Sequence, residues 1–243
     1  MTDPLSQIDH LASAGRSPWH RASALAKLLL AAELVLLAVL APSLSPSLGL
    51  LAVLYASAWA LALSGRVPWR LLLAASGYPV LFVLLFLVAR WDGTLRTPVR
   101  LLLPPLTATL VAVWLVTTTP YPDLFAPLSR VLPRSVGDGL FLTYRALFEL
   151  TRRTDGMWRA LRLRGGARGP LSGRLAVAGE GLGTLVLHGF ERSQRLYATM
   201  QLRGHTGRIC GCRHFAEGTR YDLLAGAAGL AVAVGAALAW RMP

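Results

Sequence analysis

Lysine and acidic residues are scarce in this chain of 243 residues. Its 25 lysine and arginine residues outnumber 12 aspartate and glutamate residues, which gives a formal charge of +13, and Lys27 is the one lysine. A Walker A loop needs a lysine on the nucleotide phosphates within G-x-x-x-x-G-K-[ST], and no glycine stands near Lys27. The sequence therefore excludes ATP hydrolysis by such a site, and we predict a chain that is not an enzyme.

Charged residues of either sign are also few. They make up 15% of the chain, whereas a soluble domain carries about 25%, and hydrophobic residues reach 54%. A soluble protein so poor in charge could hardly cover its own surface. Two cysteines, Cys210 and Cys212, are too few for a disulfide framework. The composition therefore indicates a membrane protein without disulfide cross-links.

Five apolar stretches approach the roughly 20 residues that a membrane-spanning helix needs. They cover residues 24–41, 47–63, 71–89, 99–119 and 223–240. Glu33, in the first stretch, is costly in lipid and should face other helices, either as a functional group or as a packing partner. We predict an all-α polytopic membrane protein with about five transmembrane helices, four of them in residues 1–120 and the last in residues 221–243.

Residues 121–220 differ in character from the apolar stretches. They hold 16 of the 25 cations and seven acids, a local charge of +9. The positive-inside bias places such a segment in the cytoplasm. Apolar residues recur there at helical spacing over 137–164 and 175–203, which predicts two long amphipathic helices. We interpret residues 121–220 as a helical cytoplasmic segment inserted before the last span.

Both predicted helices end on the same tripeptide, Leu-Arg-Gly, at residues 163–165 and 202–204. Arginine suits the negative end of the helix dipole, and a following glycine can take the left-handed cap, so each motif could be only a well-capped helix end. Because the tripeptide occurs twice within one segment, we favour a binding function for it in addition to helix capping. Two projecting guanidinium groups, each planar with five donors, would suit two matching grooves of a dimeric partner.

Further short motifs carry a family resemblance. They are Ile8-Asp9-His10, Ser17-Pro18-Trp19-His20, Lys27-Leu28, Thr117 to Pro120 followed by Asp123-Leu124, Leu142-Thr143-Tyr144-Arg145, and Ala198-Thr199-Met200-Gln201-Leu202-Arg203-Gly204. With these motifs the chain resembles the transmembrane T component of energy-coupling factor (ECF) transporters, in particular the CbiQ-type permease of cobalt uptake systems. That resemblance implies a non-catalytic subunit of the bacterial inner membrane, which couples ATP hydrolysis to uptake of cobalt.

The resemblance also implies partners and site residues. An ABC-type ATPase dimer would bind ATP and Mg, a metal-binding membrane subunit would bind cobalt, and this chain would hold no cofactor of its own. The family's docking motifs fall on Leu163, Arg164, Gly165, Leu202, Arg203 and Gly204. Both motifs carry leucine where the family usually has alanine. The substrate subunit would contact the apolar stripes of the two helices, which include Tyr144, Phe148, Trp158, Phe190, Tyr197 and Met200.

Other functions are open to the same residues. Nickel and vitamin transporters have similar T components. A metal site is a weaker hypothesis, because Cys-x-Cys is not the usual zinc spacing, and its candidate ligands are His205, Cys210, Cys212 and His214. Anionic lipid headgroups attract arginines beside membrane spans, so we expect membrane lipids and no nucleic acid as partners. His188, in the middle of a helix, is interpreted as a packed or interfacial side chain.

Overall fold

The computed structural model describes residues 4–44, 47–89, 93–94, 96–166, 170–205 and 220–241. Within these ranges the regular structure is entirely helical. One 3₁₀ turn, Pro18–Arg21, accompanies the α-helices, which are α1 (Pro4–Ala14), α2 (Ala24–Leu44), α3 (Leu48–Ser64), α4 (Trp69–Ala89), α5 (Arg96–Thr118), α6 (Tyr121–Val131), α7 (Arg134–Leu163), α8 (Leu171–Leu202) and α9 (Asp222–Arg241).

All five predicted apolar stretches form helices. Four of these, α2, α4, α5 and α9, are long and apolar enough to cross a membrane, whereas α3 is an apolar helix of only 17 residues. A helix of that length lies at the lower limit for a span. The chain is thus an all-α, multi-pass membrane protein, as the sequence predicts.

The chain divides into two compact units, residues 1–127 with 213–243, and residues 128–212. In the first unit, α3 and α5 lie at the centre of the apolar core, which includes the fully buried Leu54, Ala58 and Trp114. The indole of Trp114 packs edge-on against Trp19, with ring centroids 5.1 Å apart. Gly65 lies so close to this indole that a Cβ there would be 2.8 Å from Trp114 Cδ1.

Helices α2 and α5 run in opposite directions, as two hydrogen bonds at their ends show. Near the start of α2, Lys27 Nζ donates to the carbonyl oxygen of Thr118, in the last turn of α5, at 3.0 Å. Near the end of α2, the carbonyl oxygen of Pro42 accepts a hydrogen bond from Arg100, in the first turn of α5, at 3.2 Å. The start of α2 and the end of α5 therefore share one end of the first unit.

The second unit contains the two predicted amphipathic helices. They begin at Arg134 and Leu171, each a few residues earlier than predicted, directly after Pro133 and Pro170. Proline suits a helix start because it has no N–H to leave unpaired. The helices approach closely at Gly181, where a Cβ would lie 3.0 Å from the sulfur of Met157. The apolar periodicity did not predict the first turn of either helix, because apolar residues do not recur at helical spacing in those turns.

Candidate functional site

The two Leu-Arg-Gly motifs end their helices with the same backbone geometry. At the end of α7, Gly165 N–H donates to the Arg162 carbonyl oxygen at 3.2 Å, and Gly166 N–H donates to that of Leu161 at 2.9 Å. Gly165 has a φ of 82°, in the left-handed region. This pair of hydrogen bonds with a left-handed glycine is a Schellman motif.

The end of α8 repeats the arrangement. Gly204 N–H donates to the Gln201 carbonyl oxygen at 3.0 Å, His205 N–H donates to that of Met200 at 3.0 Å, and Gly204 has a φ of 73°. In both motifs leucine is the last helical residue, arginine is the cap and glycine is the left-handed residue. The predicted glycine caps are therefore confirmed, and the two tripeptides are equivalent in conformation as well as in sequence.

Both motifs present their leucine and arginine to solvent. Leu163 is 89% exposed and Leu202 is 88% exposed, and the side chains of Arg164 and Arg203 are exposed as well. Among the described residues, neither guanidinium has an ion-pair partner. An unpaired cation beside a fully exposed leucine, on a rigid helix end, is suited to a pocket that offers both apolar surface and carboxylates or carbonyls.

Other arginines of the second unit are used within it. Glu149 accepts hydrogen bonds from Arg153 at 3.1 Å, on its own helix, and from Arg192 on α8 at 3.2 Å. The hydrogen bond from Arg153, followed by the charge of Arg192, holds the pKa of Glu149 below its ordinary value. Such exposed pairs contribute little stability. The Arg192 pair links α8 to α7, and neither Arg164 nor Arg203 takes part in these pairs.

The predicted apolar stripes do not form one continuous buried face. Leu185, His188 and Leu196 line the groove between α7 and α8. His188 is exposed there, so its packed or interfacial role stays a prediction. Phe190 and Tyr197 are outside that groove and stay exposed, as does Trp158. Tyr144, Phe148 and Met200 are half-buried, and the rings of Tyr144 and Phe148 pack edge-on with centroids 5.1 Å apart.

The candidate metal ligands are only partly within the described residues. His205 is half-buried directly after the glycine cap of α8, while Cys210, Cys212 and His214 lie outside the described residues. In the part of the chain that the structure describes, no group of three or more histidine, cysteine, aspartate or glutamate side chains could hold a metal ion.

Glu33 faces a neighbouring helix, as its position in a membrane span requires. It is half-buried in a groove between α2 and α9, where its Oε2 lies 2.9 Å from the position of a Cβ on Gly229. Gly229 thus makes room for the carboxyl group. This position supports a packing role for Glu33 between the two helices.

Sequence reasoning missed a polar cluster at the end of the first unit where α2 starts and α5 ends. Lys27 is only 1% exposed there, and its ammonium reaches the Thr118 carbonyl. Ser23 N–H donates to Asp222 Oδ1 on α9 at 2.7 Å, and Trp19 Nε1 donates to Ser64 Oγ on α3 at 2.7 Å. The cluster joins four membrane helices. Its signals in the sequence were the single lysine and three motifs of the family resemblance, Ser17-Pro18-Trp19-His20, Lys27-Leu28 and Thr117 to Pro120, which the fold brings together.

His20 belongs to the same cluster. Its Nε2 lies 3.2 Å from the Leu11 carbonyl oxygen, and its Nδ1 lies 2.6 Å from Ser17 Oγ. A carbonyl can only accept, so Nε2 carries the proton, and Nδ1 accepts from the Ser17 hydroxyl. Burial lowers the pKa of His20 below its ordinary value of 6.5, against the opposite effect of the Leu11 carbonyl.

We expect acidification to destabilise the first unit through His20. Because the pKa is lower in the folded state, the unfolded chain takes up the proton first, so stability is present above about pH 6.5 and declines as pH falls towards the folded pKa. The unfolding temperature in detergent should therefore fall between about pH 7.5 and 5.5, and less steeply in His20→Gln. His10→Gln, at an exposed position of α1, is the control. An unchanged slope in His20→Gln would contradict the prediction.

Comparison with known proteins adds one finding to this geometry. The sequence model of the CbiQ family, described as cobalt transport protein, matches residues 15–211. This range includes His20, Lys27 and Thr118 of the polar cluster, although not Asp222, and both Leu-Arg-Gly motifs. No curated protein matches the chain.

Proposed function

Because the chain belongs to the CbiQ family of cobalt transport proteins, we propose that it is the transmembrane coupling (T) subunit of an ECF-type ABC transporter in the bacterial inner membrane. In this role it transmits the conformational change of an ATPase to a substrate-binding membrane subunit. The observation that carries the proposal is the pair of equivalent helix ends, each with an exposed leucine and an arginine without an ion-pair partner among the described residues.

The duplicated motif supports a partner with two equivalent sites. Leu163 with Arg164, and Leu202 with Arg203, would each enter one groove of an ATPase dimer. Leucine would fill apolar surface, and the guanidinium would bind carboxylates or the carbonyl end of a helix. In this proposal ATP and Mg are bound by the ATPase dimer and cobalt by the substrate subunit, and this chain supplies no catalytic group.

The length of α7 and α8 supports a mechanical role. They contain 30 and 32 residues, which corresponds to about 45–48 Å at ~1.5 Å per residue. A displacement of either docked end would move the whole helix, because the backbone hydrogen bonds keep it rigid. On α8, the exposed Val186, Phe190 and Tyr197 would contact the substrate subunit and receive that displacement.

A transport assay tests the coupling role and the substrate together. We expect vesicles that contain this chain with the ATPase and substrate subunit of its gene neighbourhood to accumulate cobalt when ATP is supplied on the ATPase side. Omitting this chain should abolish the accumulation. Accumulation of nickel or a vitamin in place of cobalt would change the assigned substrate. Uptake that persists without this chain would contradict the coupling role.

The same assay addresses the alternative of a metal-binding protein. If His205, Cys210, Cys212 and His214 formed the functional site, Cys210→Ser with Cys212→Ser would abolish cobalt accumulation. The coupling proposal expects accumulation to be unchanged in this variant.

A further inference from the structure

A small cavity lies in the first unit between the end of α1, the 3₁₀ turn and the turn that joins α3 to α4. Its volume is about 180 Å³. Arg16 and Arg66, both exposed, are the two cationic residues of its lining, which also includes Ser17, His20 and Thr117. No carboxylate lines it, and neither arginine has an ion-pair partner among the described residues. The cavity therefore concentrates positive charge without internal compensation.

The backbone of Arg66 departs from the pattern of the other helix ends. Helix α3 also ends in a Schellman motif, with Arg66 N–H donating to the Leu63 carbonyl oxygen and Val67 N–H to that of Ala62. Arg66 has a φ of 56° and is the one non-glycine residue with a positive φ among those described. Glycine holds the equivalent left-handed position at the ends of α7 and α8. A side chain is disfavoured in this conformation, so its presence points to a use for the guanidinium.

His20 forms a wall of this cavity and is not a free ligand. Both of its ring nitrogens are engaged, with Ser17 and with the Leu11 carbonyl. A Cβ on Gly15 would collide with the imidazole, so Gly15 lets the chain pass close over the ring. Arg16 and Arg66 are thus the two groups available to an incoming ligand, and the ligand that they select is an anion.

The residues beside the cavity place it at the membrane surface. Pro68 lines it, and the next residue, Trp69, is 63% exposed at the start of the membrane-spanning α4. Arg70 lies over the indole of Trp69, with its guanidinium carbon 5.6 Å from the ring centroid. Exposed tryptophan at the end of a span is typical of the headgroup layer. The anions concentrated there are the phosphates of lipids, and guanidinium groups bind phosphate through paired hydrogen bonds.

We propose that Arg16 and Arg66 form a binding site for the phosphate group of an anionic phospholipid. Both arginines line the same cavity, and in this proposal the lipid's phosphate neutralises their two guanidinium groups. This site is separate from the Leu-Arg-Gly motifs and does not depend on their docking role.

Thermal unfolding of the purified chain in detergent tests this site. Dioleoyl phosphatidylglycerol should raise the unfolding temperature of the unmodified chain, whereas dioleoyl phosphatidylcholine and inorganic phosphate should not. Arg66→Gly should have two opposite effects. Without lipid it should unfold about 2–4 °C higher, because the backbone strain is relieved, and it should lose the stabilisation by phosphatidylglycerol.

Matched variants distinguish lipid binding at this site from a general effect of positive charge at the membrane surface. Arg16→Gln should lose the response to phosphatidylglycerol without gaining stability in its absence. Arg70→Gln, which removes a cation at the same membrane level outside the cavity, should keep the response. A full phosphatidylglycerol response in Arg66→Gly would overturn the proposal and leave Arg66 as a helix cap only. Equal stabilisation by inorganic phosphate would identify a free-anion site. Equal stabilisation by phosphatidylcholine, whose phosphate is balanced by a choline cation, would show that the site does not select anionic lipids. Either result would also overturn the proposal.

Discussion

Reversing the charge of both Leu-Arg-Gly motifs, by Arg164→Glu together with Arg203→Glu, is expected to abolish co-purification of the chain with the ATPase of the proposed transporter. Loss of one partner from a buried charge pair costs about 2–5 kcal/mol, and a carboxylate in the same pocket adds repulsion. With two such sites, the affinity should fall by at least about 100-fold. The variant should stay in the membrane, because both side chains are exposed and contribute little to folding.

The controls for this prediction come from the same two helices. Arg159→Glu with Arg195→Glu reverses two exposed charges on α7 and α8 away from the caps, and it should retain the ATPase. Arg164→Lys with Arg203→Lys should weaken retention less than the glutamate pair does, because lysine keeps the charge but loses the planar set of donors. Undiminished ATPase retention in the Arg164→Glu, Arg203→Glu variant would refute the docking role.

In the proposed docking, the leucine and the arginine of each Leu-Arg-Gly motif should contribute separately to ATPase binding. Leu163 and Leu202 are almost fully exposed in the chain by itself, so Leu163→Ala with Leu202→Ala removes apolar contact in the complex without opening a cavity in the chain. The expected result is weaker ATPase binding with an unchanged unfolding temperature. A lowered unfolding temperature would mean instead that these leucines pack within the chain.

Replacing Trp114 by alanine is expected to cause the largest loss of stability. Its side chain is fully buried at the centre of the first unit, against Trp19 and Gly65. Truncating a buried tryptophan to alanine costs about 3–5 kcal/mol. For a chain of this size, such a loss lowers the unfolding temperature by on the order of 10 °C. Thermal unfolding in detergent would measure the effect.

Two variants show whether this loss comes from the core. Trp69→Ala removes the same side chain from an exposed position and should lower the unfolding temperature far less. Trp114→Phe should be mild, because the buried Nε1 of Trp114 has no hydrogen-bond partner among the described residues, and phenylalanine removes that unsatisfied donor. Equal losses in Trp114→Ala and Trp69→Ala would show that the core around Trp114 is not closely packed.

Local patterns in the sequence predicted much of the secondary structure. The five apolar stretches form helices, the two amphipathic helices end at their Leu-Arg-Gly motifs, and Gly165 and Gly204 take the left-handed caps. These features depend on residues within a few positions of one another. Helix periodicity, proline starts and glycine ends are encoded at that range.

The contacts between distant segments required the tertiary structure. The sequence identified Lys27 as a lysine outside a nucleotide loop and as part of the Lys27-Leu28 motif. The fold alone shows that it is buried and hydrogen-bonded to Thr118, a residue 91 positions away. The apolar periodicity placed Phe190 in the stripe of α8, and the fold shows that it lies outside the groove between α7 and α8 and stays exposed. Which residues of an apolar stripe become buried depends on the helix that packs against it, and the periodicity does not identify that helix.

The fold class, the apolar helices and the conformation of the two Leu-Arg-Gly motifs were thus determined by the sequence itself, because hydropathy and capping are local properties. The polar cluster around Lys27, the exposed face of α8 and the cavity between Arg16 and Arg66 were decided by the tertiary structure. The cluster and the cavity arise where helix ends that are far apart in the chain meet, and the exposed face of α8 depends on which of its residues pack against α7. No local pattern specifies these contacts.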